Sequence, residues 1–470
     1  MTAPVAFAIM MAVTSAAGLA ATYAYDRRYG LGAAMAASVL SATWFQIPFL
    51  GVPLNATVAT AAVWLCIYCV HSGREILRRL GAIDYVVAML VAWQIGVEIY
   101  HGESLVPQFI TAYGMWMLPF AAGRFTFLNP STSPRIACWF ALAAGIIAIG
   151  AIVESIYSTN LWEAILTEVD DKVTRVKGRR FGLHRAMGPT RNPIFLGIVL
   201  MMLSVMPVLV ATAAETTKRM RLIMVLIWLT IILAIVSTVS RGPILLMSIP
   251  AAMYLAHVNR VARRILLAGL VVATVALVCF PEKVFSIVES SGHQRTPGEI
   301  IRLDDRESAE IYTGTRQRFI VLRVYGPILF RGGLMGYGRT DASGFPPRNL
   351  PDMPSDPATL HRVRNVDNAY LNVGLASGWI GLILFVVLLL STVAISIRMA
   401  PAAGTFLYPI DGSALVYIAG VIIAIIIEIF TVHLSYDHGF WWLFLIGGVS
   451  GWQSYRSRVV RNDPFVNFAE

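Results

Sequence analysis

The chain has 470 residues, of which 57% are apolar and only 14% are charged. A soluble domain is nearer to about 45–50% apolar and about 25% charged, so a single water-soluble globule, a disordered chain and a fibrous protein are all excluded. The net charge of +10 is carried mostly by arginine, because Lys172, Lys177, Lys218 and Lys283 are the only lysines. A GC-rich coding sequence gives the same bias. Planar guanidinium forks also suit bidentate capture of phosphate or carboxylate. Most of these cations lie in short loops between apolar runs, which does not point to nucleic acid.

A membrane-crossing helix needs about 20 mostly apolar residues. In chain order the runs that meet or approach this length are 4–24, 30–48, 54–70, 82–100, 107–123, 134–157, 191–212, 220–239, 242–258, 264–281, 368–397, 413–433 and 438–455. They predict an all-α polytopic membrane protein with about thirteen spans. The first run has no basic segment before it, and Arg27 and Arg28 follow it, so it reads as a span and not as a cleavable signal. Cys66, Cys69, Cys138 and Cys279 all lie inside apolar runs and read as packing residues. The Cys66–Cys69 spacing has no second pair and no nearby His, so no metal or redox role is expected of it.

Orientation follows from the loops that carry Arg and Lys. Clusters occur at Arg27/Arg28, Arg74/Arg78/Arg79, Arg124/Arg135, Lys218/Arg219/Arg221, Arg260/Arg263/Arg264, Arg398 and Arg456/Arg458/Arg461. They fall on every second loop and are expected in the cytoplasm, with the N-terminus outside and the C-terminus inside. The chain then divides into N-terminal helices (1–157), helices that include a first outer loop (158–282, loop 158–190), a large outer loop (283–365) and C-terminal helices (366–470). The first loop breaks the charge rule with Lys172, Arg175, Lys177, Arg179, Arg180 and Arg185: either the alternation fails here or, the favoured reading, these cations are kept outside for a purpose. Within the large loop, Ile320, Val321, Val324, Ile328 and Leu329 have helical spacing and predict a helix over 313–330. The stretch Arg331–Gly338 reads as a flexible turn. It is not a nucleotide loop, for no strand precedes it and no Gly-Lys-Ser/Thr follows.

Ionisable residues at span ends are costly and are therefore functional candidates. Arg241 stands between two apolar runs, as an anion ligand or as a snorkelling anchor. Arg185 and Arg191 precede Pro193, which suits a first helical turn. The pair either addresses an anion at that helix start or belongs to an ordinary helix entry. Asp367 leads into a long apolar run, as its cap or as a base at the outer surface. His433, Asp437 and His438 read as an interfacial loop. With no HExxH, no DxD and no grouped His/Asp ligands, no metal or other cofactor is expected.

Taken in order, Ser240-Arg241-Gly242, Gly314-Thr-Arg316, Gly333-Leu-Met-Gly-Tyr-Gly338, Asp367-Asn-Ala-Tyr-Leu371 and Gly378-Trp-Ile-Gly-Leu382 resemble the O-antigen ligase / O-antigen (exopolysaccharide) polymerase family of bacterial membrane glycosyltransferases. The resemblance covers roughly residues 180–395. It implies a GT-C-like bundle of 12–13 transmembrane helices with one large periplasmic loop, placed in the inner membrane with its active site facing the periplasm. It also implies metal-independent, inverting transfer from a glycan linked to undecaprenyl or another polyprenyl diphosphate onto a sugar hydroxyl. The bilayer, a flippase and a chain-length regulator are the further partners it implies. Carried over by position, Arg185, Arg191, Arg241 and Arg316 would hold the donor, and Asp367 would be the catalytic base. His361, Arg364, Asn368 and Tyr370 would serve the acceptor or secondary roles. Ligases of the family carry His where this chain has Asp367, so the implied reaction is polymerisation of lipid-linked repeats, with ligation to lipid A-core as the alternative. A transporter or flippase of lipid-linked sugars is the rival from another class, and it would be expected to show repeated halves.

Overall fold

The computed structural model describes residues 1–49, 52–77, 80–165, 179–180, 182–279, 299–301, 310–312, 316–338, 350, 366–402, 410–435 and 437–462. The described chain is mostly helical. Its first half comprises α1 (Ala3–Ala24), α2 (Arg27–Ser38), a hairpin of β1 (Gln46–Phe49) and β2 (Val52–Asn55), α3 (Ala56–Leu77) and α4 (Ala82–Tyr100). There follow α5 (Leu105–Ala112), α6 (Leu118–Thr126), α7 (Ser133–Tyr157), α8 (Leu161–Ile165) and a short hairpin of β3 (Arg179–Arg180) and β4 (Leu183–His184). Then come α9 (Pro193–Leu203), α10 (Val205–Thr212), α11 (Lys218–Ser237), α12 (Arg241–Leu246), α13 (Ser248–Val258) and α14 (Arg260–Cys279). The last part holds strands β5 (Glu299–Ile301) and β6 (Glu310–Tyr312), then α15 (Arg316–Arg331), α16 (Ala369–Met399), α17 (Gly412–Glu428) and α18 (Gly439–Asn462).

Among the described residues, six helices are long and apolar enough to cross a membrane: Ala3–Ala24, Ala82–Tyr100, Ser133–Tyr157, Pro193–Thr212, Lys218–Ser237 and Ala369–Met399. Ala56–Val70 and Gly412–Glu428 are shorter apolar helices. The chain is thus built as a multi-pass membrane protein. Starts of these helices carry the expected chemistry. Pro193 occupies the first turn of α9 behind the cap Asn192, whose side chain accepts from Ile194 N. Thr217 caps α11 and Asp411 caps α17 in the same way.

The run 30–48 leads from the Tyr29 end of the bundle to the Gln46 end, but not as one continuous helix. Its helix stops at Ser38, and 12 residues rise only about 18 Å, well short of the hydrocarbon core of about 30 Å. The remainder turns into the β1–β2 hairpin, in which Pro48 and Pro53 face each other. Proline has no N–H to give a continuing helix, and its fixed φ is tolerated at such paired edges. The run 107–123 is helical throughout, with α5 and α6 joined end to end by a π-helical turn at Tyr113–Met117. Pro119 cannot donate to the carbonyl four residues back, which favours this widened turn.

Helix α18 packs along α6 at the centre of the main core. A Cβ on Gly123 would strike the Phe444 carbonyl, and one on Gly447 would strike that of Phe120, so the two backbones meet without intervening side chains. Phe127, Phe140, Phe444, Trp441 and Trp452 fill the space around this contact. At one end of the bundle, Arg124 Nε pairs with Asp84 Oδ1 at 2.7 Å. Ser450 Oγ donates to the same carboxylate, and Arg124 Nη2 donates to Ser454 Oγ.

A second, smaller core lies at the opposite end. Ile320, Val321, Tyr325, Ile328 and Leu329 of α15 pack on Leu371 and Leu375 of α16. This helix matches the predicted one within the described residues. The following stretch is not a flexible turn. Gly378, at φ +64°, breaks α16 and releases its carbonyls, and the turn satisfies them: Tyr337 N donates to Leu375 O (2.7 Å) and Gly338 N to Ala376 O (3.0 Å). Trp93 Nε1 of α4 donates to Ser377 O (2.8 Å), while the His101 ring lies 3.1 Å from Gly336 O. The segment is therefore wedged between two membrane helices.

Candidate anion and acid–base site

The segment 182–192 is fastened to α7 by a buried carboxylate. Glu154 accepts from Met187 N (3.1 Å), Gly188 N (2.8 Å) and Asn160 Nδ2 (3.0 Å). Ser155 Oγ adds a bond to His184 O. On its other side, Ala186 N donates to Ser237 O at the end of α11. Four backbone ties of this kind hold the segment across the mouth of the bundle.

This clamp brings two arginines to the carbonyls that α11 leaves unpaired at its C-terminus. Arg180 Nη1 donates to Val239 O (3.2 Å). Arg185 donates through Nε to Thr238 O (3.4 Å) and through Nη2 to Ser240 Oγ (3.1 Å). Val239 is bent into the left-handed region, with φ +49°, a costly conformation for a β-branched residue. The strained bend aims Ser240 and Arg241 back into the loop. Three cations meet here. Burial, and then the charge of Arg241, pull the Arg180 guanidinium below its ordinary range. Burial, and then the charge of Arg180, bring Arg185 down to about 10. Immediately behind them, the Glu428 carboxylate lies against the Cα of Gly242. Glu428 is 2% exposed, and Arg318 of α15 is within electrostatic reach of it.

The acid–base groups follow the end of α17, the helix that carries Glu428. Asn368, not Asp367, caps α16, its Oδ1 accepting from Leu371 N (3.0 Å). Ala369 N donates to Ile429 O, and Tyr370 Oη to Ile426 O (2.9 Å). The ring of Tyr370 packs on Phe430 at 4.2 Å. These bonds weld the start of α16 to the end of α17. Asp367, free of capping duty, places Oδ1 3.2 Å from His433 Nδ1, with both side chains nearly half exposed. Phe195 lies between His433 and His438, with ring centroids at 5.5 and 4.8 Å. His438 is fully buried against Ser435 Oγ, and burial pushes its imidazole down to about 3. Burial pushes the Asp437 carboxyl up, while the charge of Arg191 opposes that shift.

The structure thus brings Arg185 and Arg241 together and adds Arg180. Arg191 takes another course, with Nη2 donating to Gln46 Oε1 (3.4 Å) and its charge facing Asp437. Arg316 opens α15, and its side chain lies outside the described residues, as do His361 and Arg364. Asn368 and Tyr370 serve to position α16. The sequence reading passed over Glu428 and treated Glu154 only as part of a span. An acid inside each of these two apolar runs was the available signal. The His433–Asp367 pairing had no local signal, because 65 residues separate the partners in the chain. No protein-family model matches the chain, and no curated protein is similar to it in sequence.

Proposed function

We propose that this protein is a membrane glycosyltransferase that polymerises polyprenyl-diphosphate-linked repeat units, as the motif resemblance implies. The observation that carries the reading is the crowding of Arg180, Arg185 and Arg241 at one end of an apolar bundle. Like charges held together in a partly dry setting repel one another, and a multiply charged anion removes that cost. A diphosphate supplies such charge in one group, and a polyprenyl tail places it at the rim of a membrane helix bundle. The Asp367–His433 pair on the same surface supplies a proton acceptor for a sugar hydroxyl. Within this reading the bundle is GT-C-like with 12–13 spans, lies in a bacterial inner membrane and opens its site to the periplasm. In this reading α15 and the docked turn 332–338 border the donor and acceptor.

Reconstitution with a synthetic lipid-linked repeat unit tests the proposal. The expected product is a ladder of longer glycans still attached to the lipid, formed without added nucleotide sugar. Transfer only onto added lipid A-core would make the protein a ligase. Movement of the lipid-linked unit across the bilayer with no new glycosidic bond would make it a transporter.

A further inference from the structure

We infer that His433 is the group that takes the proton from the acceptor hydroxyl, and that Asp367 is its positioning residue. The inference rests on the glycosyl-transfer reading above. Nδ1 of His433 faces Asp367 Oδ1 at 3.2 Å. A carboxylate only accepts, so this contact assigns the proton of the neutral ring to Nδ1 and leaves the lone pair on Nε2. Among the described residues Nε2 has no hydrogen-bond partner. The imidazole is 41% exposed and stands edge-on to Phe195, which limits its rotation. Asp367 is available for this orienting bond because Asn368 has taken over the cap of α16. Behind Phe195, the second imidazole of His438 is fully buried and bonded to Ser435. It cannot reach an acceptor sugar, so His433 is the exposed histidine of the pair.

The resulting step balances. The acceptor hydroxyl loses its proton to His433 Nε2 as its oxygen bonds to the anomeric carbon of the donor sugar. The bond from that carbon to the diphosphate oxygen breaks, and the lipid diphosphate leaves with the electron pair. Arg180, Arg185 and Arg241 hold the charge that it gains. The imidazolium, stabilised by Asp367 meanwhile, then yields its proton to water.

The test uses full-length protein in proteoliposomes with a synthetic lipid-linked repeat unit, and it compares wild type, His433→Gln, Asp367→Asn and the double variant. Donor affinity is read separately by titration of the lipid-linked unit, and the folded state is checked by thermal unfolding. His433→Gln is expected to lose on the order of 10²–10⁴-fold in kcat with donor affinity unchanged. Asp367→Asn is expected to lose roughly 10–10³-fold, and the double variant to be no slower than His433→Gln alone, since the two residues act as one unit. Free imidazole is expected to restore part of the rate of a His433→Ala variant and none of that of Asp367→Asn, a response that a purely structural role would not produce. Turnover of His433→Gln above about a third of wild type excludes a proton-acceptor contribution of the usual size. Loss in Asp367→Asn alone, with His433→Gln active, makes Asp367 itself the base and overturns the inference while leaving glycosyl transfer intact. Absence of transfer by the wild-type protein overturns the functional reading and the inference together.

Discussion

Arg185 ties two segments with one guanidinium, bonding Thr238 O and Ser240 Oγ while it faces Arg180. A planar fork can do this and an ammonium cannot. Arg185→Lys and Arg241→Lys are therefore expected to cost at least about tenfold in glycan transfer, or roughly 1.4 kcal/mol of transition-state stabilisation. The check is initial rate at matched protein level, and an unchanged rate in both would reduce the pair to interface anchors. His438 gives a prediction of a different kind. Its buried imidazole is held near 3, against an ordinary 6.5. Between those values the unfolded chain binds a proton that the folded chain refuses, so stability is present above about 6.5 and is lost as pH falls toward 3. His438→Asn keeps a polar partner for Ser435 without the titration. Its thermal unfolding in detergent should depend less steeply on pH than that of wild type between about pH 7 and pH 4. Parallel curves would show that His438 does not set the acid sensitivity.

At the scale of elements, helix pairs are held by two devices. One is the bare backbone contact of α6 and α18. Gly447→Val should force these helices apart and cost several kcal/mol, about as much as overpacking plus lost packing in a core. The other is the buried pair Arg124–Asp84, whose side chains are 3% and 5% exposed. Breaking such a pair leaves a lone charge out of water, so Arg124→Ala should destabilise by about 3–5 kcal/mol, while the double replacement Arg124→Met with Asp84→Leu should recover much of that loss. Thermal melts of the detergent-solubilised variants decide this, and equal melting of the single and double variants would contradict it. The same scale explains why the run 30–48 is apolar although its helix is short. Ala-rich α2 is buried almost all round by α1, α3, α6 and α7, so its apolar face is turned to protein. Hydropathy cannot distinguish burial in protein from burial in lipid.

For the whole molecule, the contacts sort the loops onto two ends. One end holds three bonded groups: Gln46 and Ser240 with the segment 182–192, His101 with the turn 332–338, and Asp367 with His433. At the other, Trp452 bonds Ser133, Arg221 bonds Ala211 O, and Arg135 lies over Tyr25 and Tyr29. The positive-inside rule leads us to expect the end with Arg135 and Arg221 on the cytoplasmic side. In a variant lacking the native cysteines, Leu334→Cys, at a position 64% exposed, should react in intact cells with a membrane-impermeant thiol reagent. Arg263→Cys should react only after the cells are opened. The reverse pattern would place the arginine site in the cytoplasm and remove a periplasmic glycan donor from consideration.

What the amino-acid order determined alone was the solvent and the local structure. Its apolar runs require a membrane, because a chain with so few charges cannot cover itself in water. The spacing from Ile320 to Leu329 predicted a helix that the structure shows, and Pro193 marked a helix start that is found there. Arg185 and Arg241 were visible as cations at span ends, where charge is costly and needs a reason. What tertiary structure decided was partnership. The cap of α16 fell to Asn368 and not to its neighbour Asp367, because the extended backbone at Asn368 lets its Oδ1 reach the Leu371 N–H. Arg191 left Arg185 for Gln46 and Asp437 because Glu154 bends the intervening loop around Met187 and Gly188. Asp367 met His433 only because the start of α16 is bonded to the end of α17, through Ile426 O and Ile429 O. Such pairings depend on long-range packing of helices whose apolar faces look alike in sequence, and no local spacing encodes them.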